Sequence, residues 1–145
     1  MLNPSRYRIL AIGKTRKAWI QNGLNLYIKR LPGLTITELK DSDLKKEAQS
    51  IRSSIKTNEL LIILTEEGES LTSLGFANRL KSLGSSRLLF VIGSANGLDS
   101  EIKAMANWSI SLSPLTFPHE IARLLLIEQL YRAKNICEGG SYHRN

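Results

Sequence analysis

Short apolar runs alternate along this chain with segments whose apolar residues recur every three or four positions. The runs are rich in Ile, Leu and Val, which is typical of buried strands, and the recurring spacing is typical of amphipathic helices. The pattern predicts strands at residues 7–13, 34–39, 60–64, 87–92 and 110–112. It predicts helices at residues 18–30, 43–56, 73–83, 100–106 and 118–135.

The strands lack polar alternation, and helices separate them along the chain. Strands of this kind are buried on both faces, so the pattern predicts an α/β protein with a parallel sheet covered by helices on both sides. A length of 145 residues is typical of one domain, so we expect residues 1–145 to form a single unit. The helix at 43–56 is charged, and Ser42 or Asp43 is expected to cap it.

The net charge of +7 is concentrated in the first part of the chain. Residues 1–40 hold eight basic side chains and one acidic side chain, Glu38, whereas residues 41–145 hold equal numbers of each sign. Such asymmetry favours a polyanionic partner, with RNA or DNA as the first candidate. Charge alone leaves open a surface that merely keeps a small protein soluble.

Several classes of site are not supported by the composition. The chain has no apolar run of 18 residues and no export signal, so we expect no membrane contact and a cytoplasmic location. Its single cysteine, Cys137, cannot form an internal disulfide, which fits a reducing compartment. Two histidines and one cysteine do not make up a usual zinc site, so no metal is expected. No nucleophile–base arrangement indicates covalent catalysis.

Three loops of unusual composition follow predicted strands, at residues 65–68, 93–97 and 111–116. Ligands of open parallel sheets bind at the carboxyl ends of the strands, so these loops are the candidate site. Gly93 and Gly97 lack the spacing of a dinucleotide fingerprint, and no phosphate-binding loop motif is present. Taken alone, the two glycines are more typical of an ordinary turn between a strand and a helix.

The last predicted helix begins with Pro118 and His119, and Arg123 follows one turn later on the same face. An arginine within so apolar a segment needs an anionic or carbonyl partner. The structural alternative is a capping histidine with an internal ion pair from Arg123 to Glu120 or Glu128. The chain then closes with two glycines and Ser-Tyr-His-Arg-Asn. A frayed terminus is the default expectation, although Tyr, His and Arg together can stack on a base, bind phosphate and move a proton.

Three C-terminal segments together carry a specific resemblance: IGSANGL, LSPLTFPHEIARLLLIEQLYRA and the terminal SYHR. They closely resemble the RlmH family of 23S ribosomal RNA pseudouridine methyltransferases, which belong to the SPOUT class. The similarity covers the whole chain, including Trp19 in the first helix. It implies a Rossmann-like, mostly parallel sheet with a deep C-terminal trefoil knot. It also implies a homodimer packed through the last helix, and methylation of N3 of a pseudouridine in 23S rRNA on the assembled ribosome.

The resemblance also assigns roles to individual residues. The knot loops are expected to hold S-adenosyl-L-methionine through Leu64, Glu66, Gly93, Gly97, Ser111, Leu112, Ser113, Leu115, Thr116 and His119. Tyr142, His143 and Arg144 are expected to be catalytic, in the site of the partner subunit. Apart from the resemblance, Lys14, Arg16 and Lys17 are expected to bind RNA, because they belong to the basic N-terminal segment and follow the first strand, at the same edge as the pocket. His119 and Arg123 are further expected to shape the pocket and the dimer interface.

One segment departs from the family pattern. Many relatives have a second glycine followed by Pro-Glu where this chain has Ser94-Ala95-Asn96, so an acidic contact is missing. Because Gly93 and Gly97 are present, cofactor binding is still expected. Two alternatives remain open: a knotted methyltransferase for another RNA, such as transfer RNA, and a non-catalytic RNA-binding module of the same fold.

Overall fold

The computed structural model describes residues 1–144. Its strands are β1 (Tyr7–Ile12), β2 (Thr35–Leu39), β3 (Glu59–Ser70), β4 (Arg87–Ile92) and β5 (Trp108–Ser111). Its α-helices are α1 (Ala18–Ile28), α2 (Leu44–Ser54), α3 (Ser73–Leu83), α4 (Ser100–Met105) and α5 (His119–Cys137). A short 3₁₀ helix, Pro4–Arg6, precedes β1. The predicted alternation of strands and helices is confirmed.

The strands form one sheet in the order β2-β1-β4-β3-β5, and every neighbouring pair is parallel. Two buried clusters lie on opposite faces of this sheet. The larger contains Ile9 and Phe90 and packs under α1, α3 and α5, and the smaller contains Leu10 and Val91 and packs under α2 and α4. The covered parallel sheet predicted from the apolar runs is therefore confirmed.

β3 is more than twice as long as its apolar run indicated. The sequence prediction ended this strand at Leu64, whereas β3 continues to Ser70. Its register against β5 shifts, because Leu64 and Glu69 both pair with Ile110. Residues 65–68 therefore bulge out of the ladder, and Gly68 passes so close that an added Cβ would lie 2.6 Å from the backbone carbon of Ile110. The expected loop after β3 is thus a bulge within a strand.

Helix ends follow the sequence closely. Asp43 caps α2 by accepting a hydrogen bond of 2.8 Å from the backbone N–H of Lys46, as expected for one of the two candidate caps. α5 begins at His119, one residue later than predicted, and Pro118 occupies its N-cap position. Among residues 1–144, no helix is long and apolar enough to cross a membrane. The trefoil knot and the single-domain assignment stay predictions.

Candidate functional site

A cavity of about 500 Å³ opens at the carboxyl ends of β4 and β5, beside the bulge within β3. The β3 bulge, the loop after β4, the loop after β5 and the first turn of α5 form its walls. Nine of the ten residues assigned to the cofactor line it: Leu64, Glu66, Gly93, Gly97, Leu112, Ser113, Leu115, Thr116 and His119. Each of the three loops that the strand-end rule selected, at residues 65–68, 93–97 and 111–116, contributes residues to this cavity.

Ser111 is the assigned residue that the cavity does not include. Its side chain is buried, and its hydroxyl donates a hydrogen bond of 3.0 Å to the carbonyl of Ser113. Ser111 therefore stabilises the loop after β5 without contacting the cavity. Sequence reasoning missed eight lining residues: Thr65, Ile92, Ser94, Ala95, Leu98, Phe117, Pro118 and Ala122. Three of these eight residues, Thr65, Ser94 and Ala95, lie within the candidate loops, so taking each loop as a whole would have found them.

The loop after β4 is built by close approach of its own backbone. The carbonyl of Ser94 accepts a hydrogen bond of 2.9 Å from the N–H of Gly97, which has a φ of +80°. A Cβ on Gly93 would lie 2.5 Å from the carbonyl oxygen of Gly97, so only glycine permits this closure. The loop presents backbone groups to the cavity in a shape that a side chain at residue 93 would fill.

His119 joins this cavity to the loop that follows β1. Gly13, in that loop, has a φ of +98°, and its Cβ, if present, would lie 3.5 Å from the Nε2 atom of His119. One turn further along α5, Arg123 is 2% exposed. Its Nη2 donates a hydrogen bond of 3.1 Å to the carbonyl of Gly13, and its Nη1 lies 2.6 Å from Oε2 of Glu38.

The partner of Arg123 differs from both sequence candidates. Glu120 and Glu128 were the expected carboxylates, yet the ion pair is made with Glu38 on β2, 85 residues away in sequence. Helix spacing favoured a carboxylate on the same helix as the partner. Arg123 instead faces the sheet, where β1 and β2 end, so its partner comes from a strand. Because a buried charge must be paired, this ion pair holds α5 against those two strand ends.

Glu120 instead anchors the basic loop. Its Oε1 accepts hydrogen bonds from the backbone N–H groups of Arg16 at 2.8 Å and Lys17 at 3.2 Å. Burial acts to raise the pKa of Glu120, but these two bonds, together with the charge interactions with His119 and Lys17, hold the pKa below its usual range. The side chains of Lys14, Arg16 and Lys17 are exposed. The structure thus places all three predicted RNA-binding residues on a loop fixed to the helix that lines the cavity.

The C-terminal tail folds back onto the other half of α5. The Tyr142 hydroxyl donates to Oε2 of Glu128 at 2.8 Å and lies 3.1 Å from the hydroxyl of Tyr27. Its ring makes an edge contact with Tyr131, with ring centroids 4.8 Å apart. Burial, followed by the contacts with Tyr27 and Glu128, raises the pKa of Tyr142 above its ordinary value.

His143 is held beside Tyr142 by Arg132. An Nη1 atom of Arg132 lies 3.0 Å from Nδ1 of His143, and Arg132 also forms an ion pair of 2.6 Å with Glu128. Since a guanidinium can only donate, Nδ1 accepts, which requires an imidazole that is unprotonated at that nitrogen. The hydrogen bond with Glu128 raises the pKa of Arg132, which keeps it a donor.

The tail and the cavity lie at different places along α5. Glu128, which binds Tyr142, lies nine residues after His119, or about 14 Å along the axis at about 1.5 Å per residue. Among the described residues, none from the tail lines the cavity. The structure therefore does not bring the assigned catalytic residues and the assigned cofactor residues together within one chain. Asn145 lies outside the described residues.

Comparison with known proteins agrees with this architecture. A family model described as "Predicted SPOUT methyltransferase" matches residues 5–143. Among solved structures, the fold is similar to a probable methylase family protein from Haemophilus influenzae Rd KW20, with a TM-score of 0.62 and 11% identity over 98% of this chain and 72% of that one. It is also similar to the SpoU methyltransferase AviRb from Streptomyces viridochromogenes, solved with AdoMet, with a TM-score of 0.53 and 11% identity over 92% of this chain and 58% of that one.

Curated relatives match over nearly their whole length. The chain is 62% identical over 143 residues to a protein of Synechococcus sp. (strain CC9311), covering 99% of both chains. It is 65% identical over 144 residues to a protein of Prochlorococcus marinus, again covering 99% of both. Each relative is named ribosomal RNA large subunit methyltransferase H. The resemblance predicted from the three C-terminal segments is confirmed, and the chain belongs to the SPOUT methyltransferase family.

Proposed function

We propose that this protein methylates N3 of a pseudouridine in 23S ribosomal RNA of the large subunit, with S-adenosyl-L-methionine as the methyl donor. The observation that carries this proposal is the glycine-built cavity at the strand ends, in a chain about 60% identical to large-subunit rRNA methyltransferases. We propose that residues 1–145 act as one domain.

The residues of the cavity fit the cofactor. Apolar side chains at Leu64, Leu112 and Leu115 suit an adenine ring, and the closed loop from Gly93 to Gly97 suits hydrogen bonding through backbone groups. Glu66 supplies a carboxylate at the rim for a cationic or hydroxyl group. When bound, S-adenosylmethionine supplies a methyl group that its sulfonium has already activated, so the protein has to orient the acceptor and accept its proton.

The bond changes set the role of the tail. An N3–CH₃ bond forms, the S–CH₃ bond breaks, and the N3 proton leaves, which gives S-adenosylhomocysteine and the methylated base. We assign proton removal to His143, because an imidazole with an unprotonated nitrogen is a base near neutral pH. Tyr142 stacks on or hydrogen-bonds the base, and Arg144 binds a phosphate or the developing negative charge. For His143 to accept at Nδ1, its contact with Arg132 has to open.

The tail acts on the cavity of a second copy. Within one chain the tail packs beside Glu128, about 14 Å along the helix from His119 at about 1.5 Å per residue. In a two-fold homodimer that pairs the α5 helices in opposite directions, the tail end of one helix lies beside the cavity end of the other. Ile121, Leu124 and Leu125 are each only partly buried on α5, which leaves apolar surface for such a contact.

The basic loop supplies RNA affinity next to this composite site. Lys14, Arg16 and Lys17 are exposed, and Glu120 fixes their backbone beside the first turn of α5. Basic side chains that neutralise phosphates contribute affinity that falls as salt rises. The loop therefore orients the ribosomal RNA, while the cavity and tail act on one base.

Mass spectrometry of ribosomal RNA from cells with and without the gene tests this function. We expect the N3-methylated pseudouridine of 23S rRNA to vanish without the gene and to return when purified protein and S-adenosylmethionine are added to those ribosomes. Loss of a methyl group from transfer RNA instead would establish the alternative substrate. No methyl group lost from any RNA, together with calorimetry showing no binding of S-adenosylmethionine, would establish a non-catalytic RNA-binding module.

A further inference from the structure

A second cavity, of about 290 Å³, lies beside the first. It is formed where β1 and β2 end, together with α2 and the loop after β4. Ser94, Ala95 and His119 line both cavities, so the two share a wall. Methyl transfer requires the acceptor atom to come within bonding reach of the methyl donor, so an acceptor base has to lie in space adjoining the cofactor cavity.

Glu47 makes this second cavity a built structure. Its side chain lies on α2, and the residue is 3% exposed. One carboxylate oxygen accepts a hydrogen bond of 2.9 Å from the hydroxyl of Ser94, and the other accepts one of 2.8 Å from the backbone N–H of Ser42. The carboxylate therefore ties the loop after β4 to the loop after β2. Since the carboxylate is buried and each of its oxygens already accepts one hydrogen bond, Glu47 fixes the wall, and the exposed residues of the cavity are available for recognition.

Asp41, Ser42 and Asn96 are the exposed polar residues that line this cavity and have oxygen acceptors, and among these three Asp41 is the one that carries a negative charge. For Asp41, the described part of the chain shows no ion pair and no side-chain hydrogen bond. Two carboxylates, Asp41 and Glu47, make the cavity unfavourable for a phosphate but favourable for a ligand that presents N–H groups. The edge of a nucleobase is such a ligand, and a single pyrimidine ring fits a space of this size.

Pseudouridine presents one N–H more than uridine. Its glycosidic bond is made to carbon, so N1 carries a proton, and N1 and N3 flank the same carbonyl. A base whose N3 faces the shared wall therefore has a second N–H to donate to another side of its pocket. A carboxylate is the strongest acceptor available for it.

We infer that the second cavity receives the acceptor base, and that Asp41 accepts a hydrogen bond from the N1–H that distinguishes pseudouridine from uridine. The inference rests on the proposed function, because it assigns the substrate of that same reaction to a place in the structure. It makes Asp41 the residue that determines specificity for the modified base.

The test compares ribosomes that carry pseudouridine at the target position with ribosomes that carry uridine there, prepared from cells lacking the pseudouridine synthase. We expect the wild-type protein to prefer pseudouridine in kcat/KM, and Asp41→Ala to lower that preference by at least about tenfold, since a hydrogen bond to a charged group is worth that much. Glu101→Ala is the matched control. It removes one exposed negative charge on α4, outside both cavities, and should leave the preference unchanged.

Two further measurements separate the possible failures. Calorimetry with S-adenosylhomocysteine should give the same Kd for wild type and Asp41→Ala, and a weaker Kd in the variant would overturn the inference by assigning Asp41 to the cofactor. An unchanged preference for pseudouridine in the variant would overturn it as well. If the wild-type protein methylates neither ribosome, the proposed function fails.

Titration of ¹⁵N-labelled protein with free pseudouridine and free uridine then tests, independently of methylation, whether the second cavity binds the base. Amide shifts near Asn96 caused by pseudouridine, and lost in Asp41→Ala, would support it, and equal shifts with uridine or none would refute it.

Discussion

The two halves of α5 make different kinds of contact. In its first two turns, main-chain groups supply most of the partners: the carbonyl of Gly13 accepts from Arg123, which also pairs with Glu38, and the N–H groups of Arg16 and Lys17 donate to Glu120. From its midpoint onward, side chains bind side chains, with Glu128 accepting hydrogen bonds from both Arg132 and Tyr142. The first half borders an open cavity, whereas the second half is covered by the C-terminal tail of the same chain.

The two halves also differ in whether the isolated chain already has the arrangement that the proposed reaction needs. The cavity end is preorganised in the isolated chain, because its shape follows from glycine backbone and a buried ion pair. The tail end is stable in a position where it touches no part of that cavity. One chain therefore contains both parts of the proposed site, the cavity and the tail, but keeps them apart. A second chain would have to bring its tail to the cavity of the first.

Deleting residues 142–145 should have the largest effect. We expect methylation of ribosomes to fall by about 10²–10⁴-fold, which is the usual contribution of a positioned acid or base. Cofactor affinity and the circular dichroism spectrum should stay close to those of wild type, because the cavity lies elsewhere. A truncated protein that methylates at the normal rate would contradict the role of the tail.

Mixed dimers give a sharper version of the same test. A tail-deleted chain combined with a Gly93→Val chain leaves one site with an intact cavity and, if the tail acts on the partner, an intact tail. We expect the mixture to recover activity that neither variant has alone. Absence of recovery in dimers shown by native mass spectrometry to be mixed would mean that each tail serves its own chain.

Substitution of Gly93 and Gly97 compares a steric clash with backbone strain in the loop after β4. Gly93→Ala forces a Cβ within 3.0 Å of the Gly97 backbone, so overpacking should cost about 1–3 kcal/mol and weaken cofactor binding by about 10- to 100-fold. Gly97→Ala meets open space but keeps a positive φ, so it should cost about 1–2 kcal/mol. Calorimetry and thermal denaturation measure both, and equal effects on cofactor affinity would contradict the proposed backbone closure.

Lys17→Ala should have a smaller effect, limited to RNA. Loss of one phosphate contact should reduce the slope of log affinity against log salt by about one unit. Lys45→Ala, which removes an exposed charge from α2, is the matched control and should leave the slope unchanged. Ribosome binding measured at several salt concentrations gives both slopes. Unchanged affinity and slope in Lys17→Ala would refute the assignment.

The smallest effect concerns pH and the tail. Burial and the contacts with Tyr27 and Glu128 raise the pKa of Tyr142, so its stabilising contribution is complete below the ordinary value of 10 and is lost as pH rises beyond it. Tyr7 behaves similarly, with burial raising its pKa to about 12. We expect the free energy of unfolding to decline above pH 10, and to decline less in Tyr142→Phe. Denaturant titrations at several pH values measure this, and an identical decline in the variant would contradict the proposed coupling.

The sequence predicted the sheet well because buried parallel strands are continuous apolar runs. It ended β3 too early because residues 65–70 are mostly polar, and only pairing with β5 makes them extended. It identified nine of the residues that line the 500 Å³ cavity, which we propose holds the cofactor, because the loops that follow strands are local features of the sequence. It did not predict the Glu38 partner of Arg123 or the second cavity, since both depend on contacts between segments far apart in sequence.

The carboxylate of Glu120 binds the loop after β1 through the backbone N–H groups of residues 16 and 17, and not through their side chains. Every residue except proline offers the same N–H group, so the identities of residues 16 and 17 can change without moving the loop. If these side chains bind ribosomal RNA as proposed, they are able to vary with the RNA surface while the loop keeps its distance from the cavity. Glu120 would then let the recognition of RNA change independently of the chemistry.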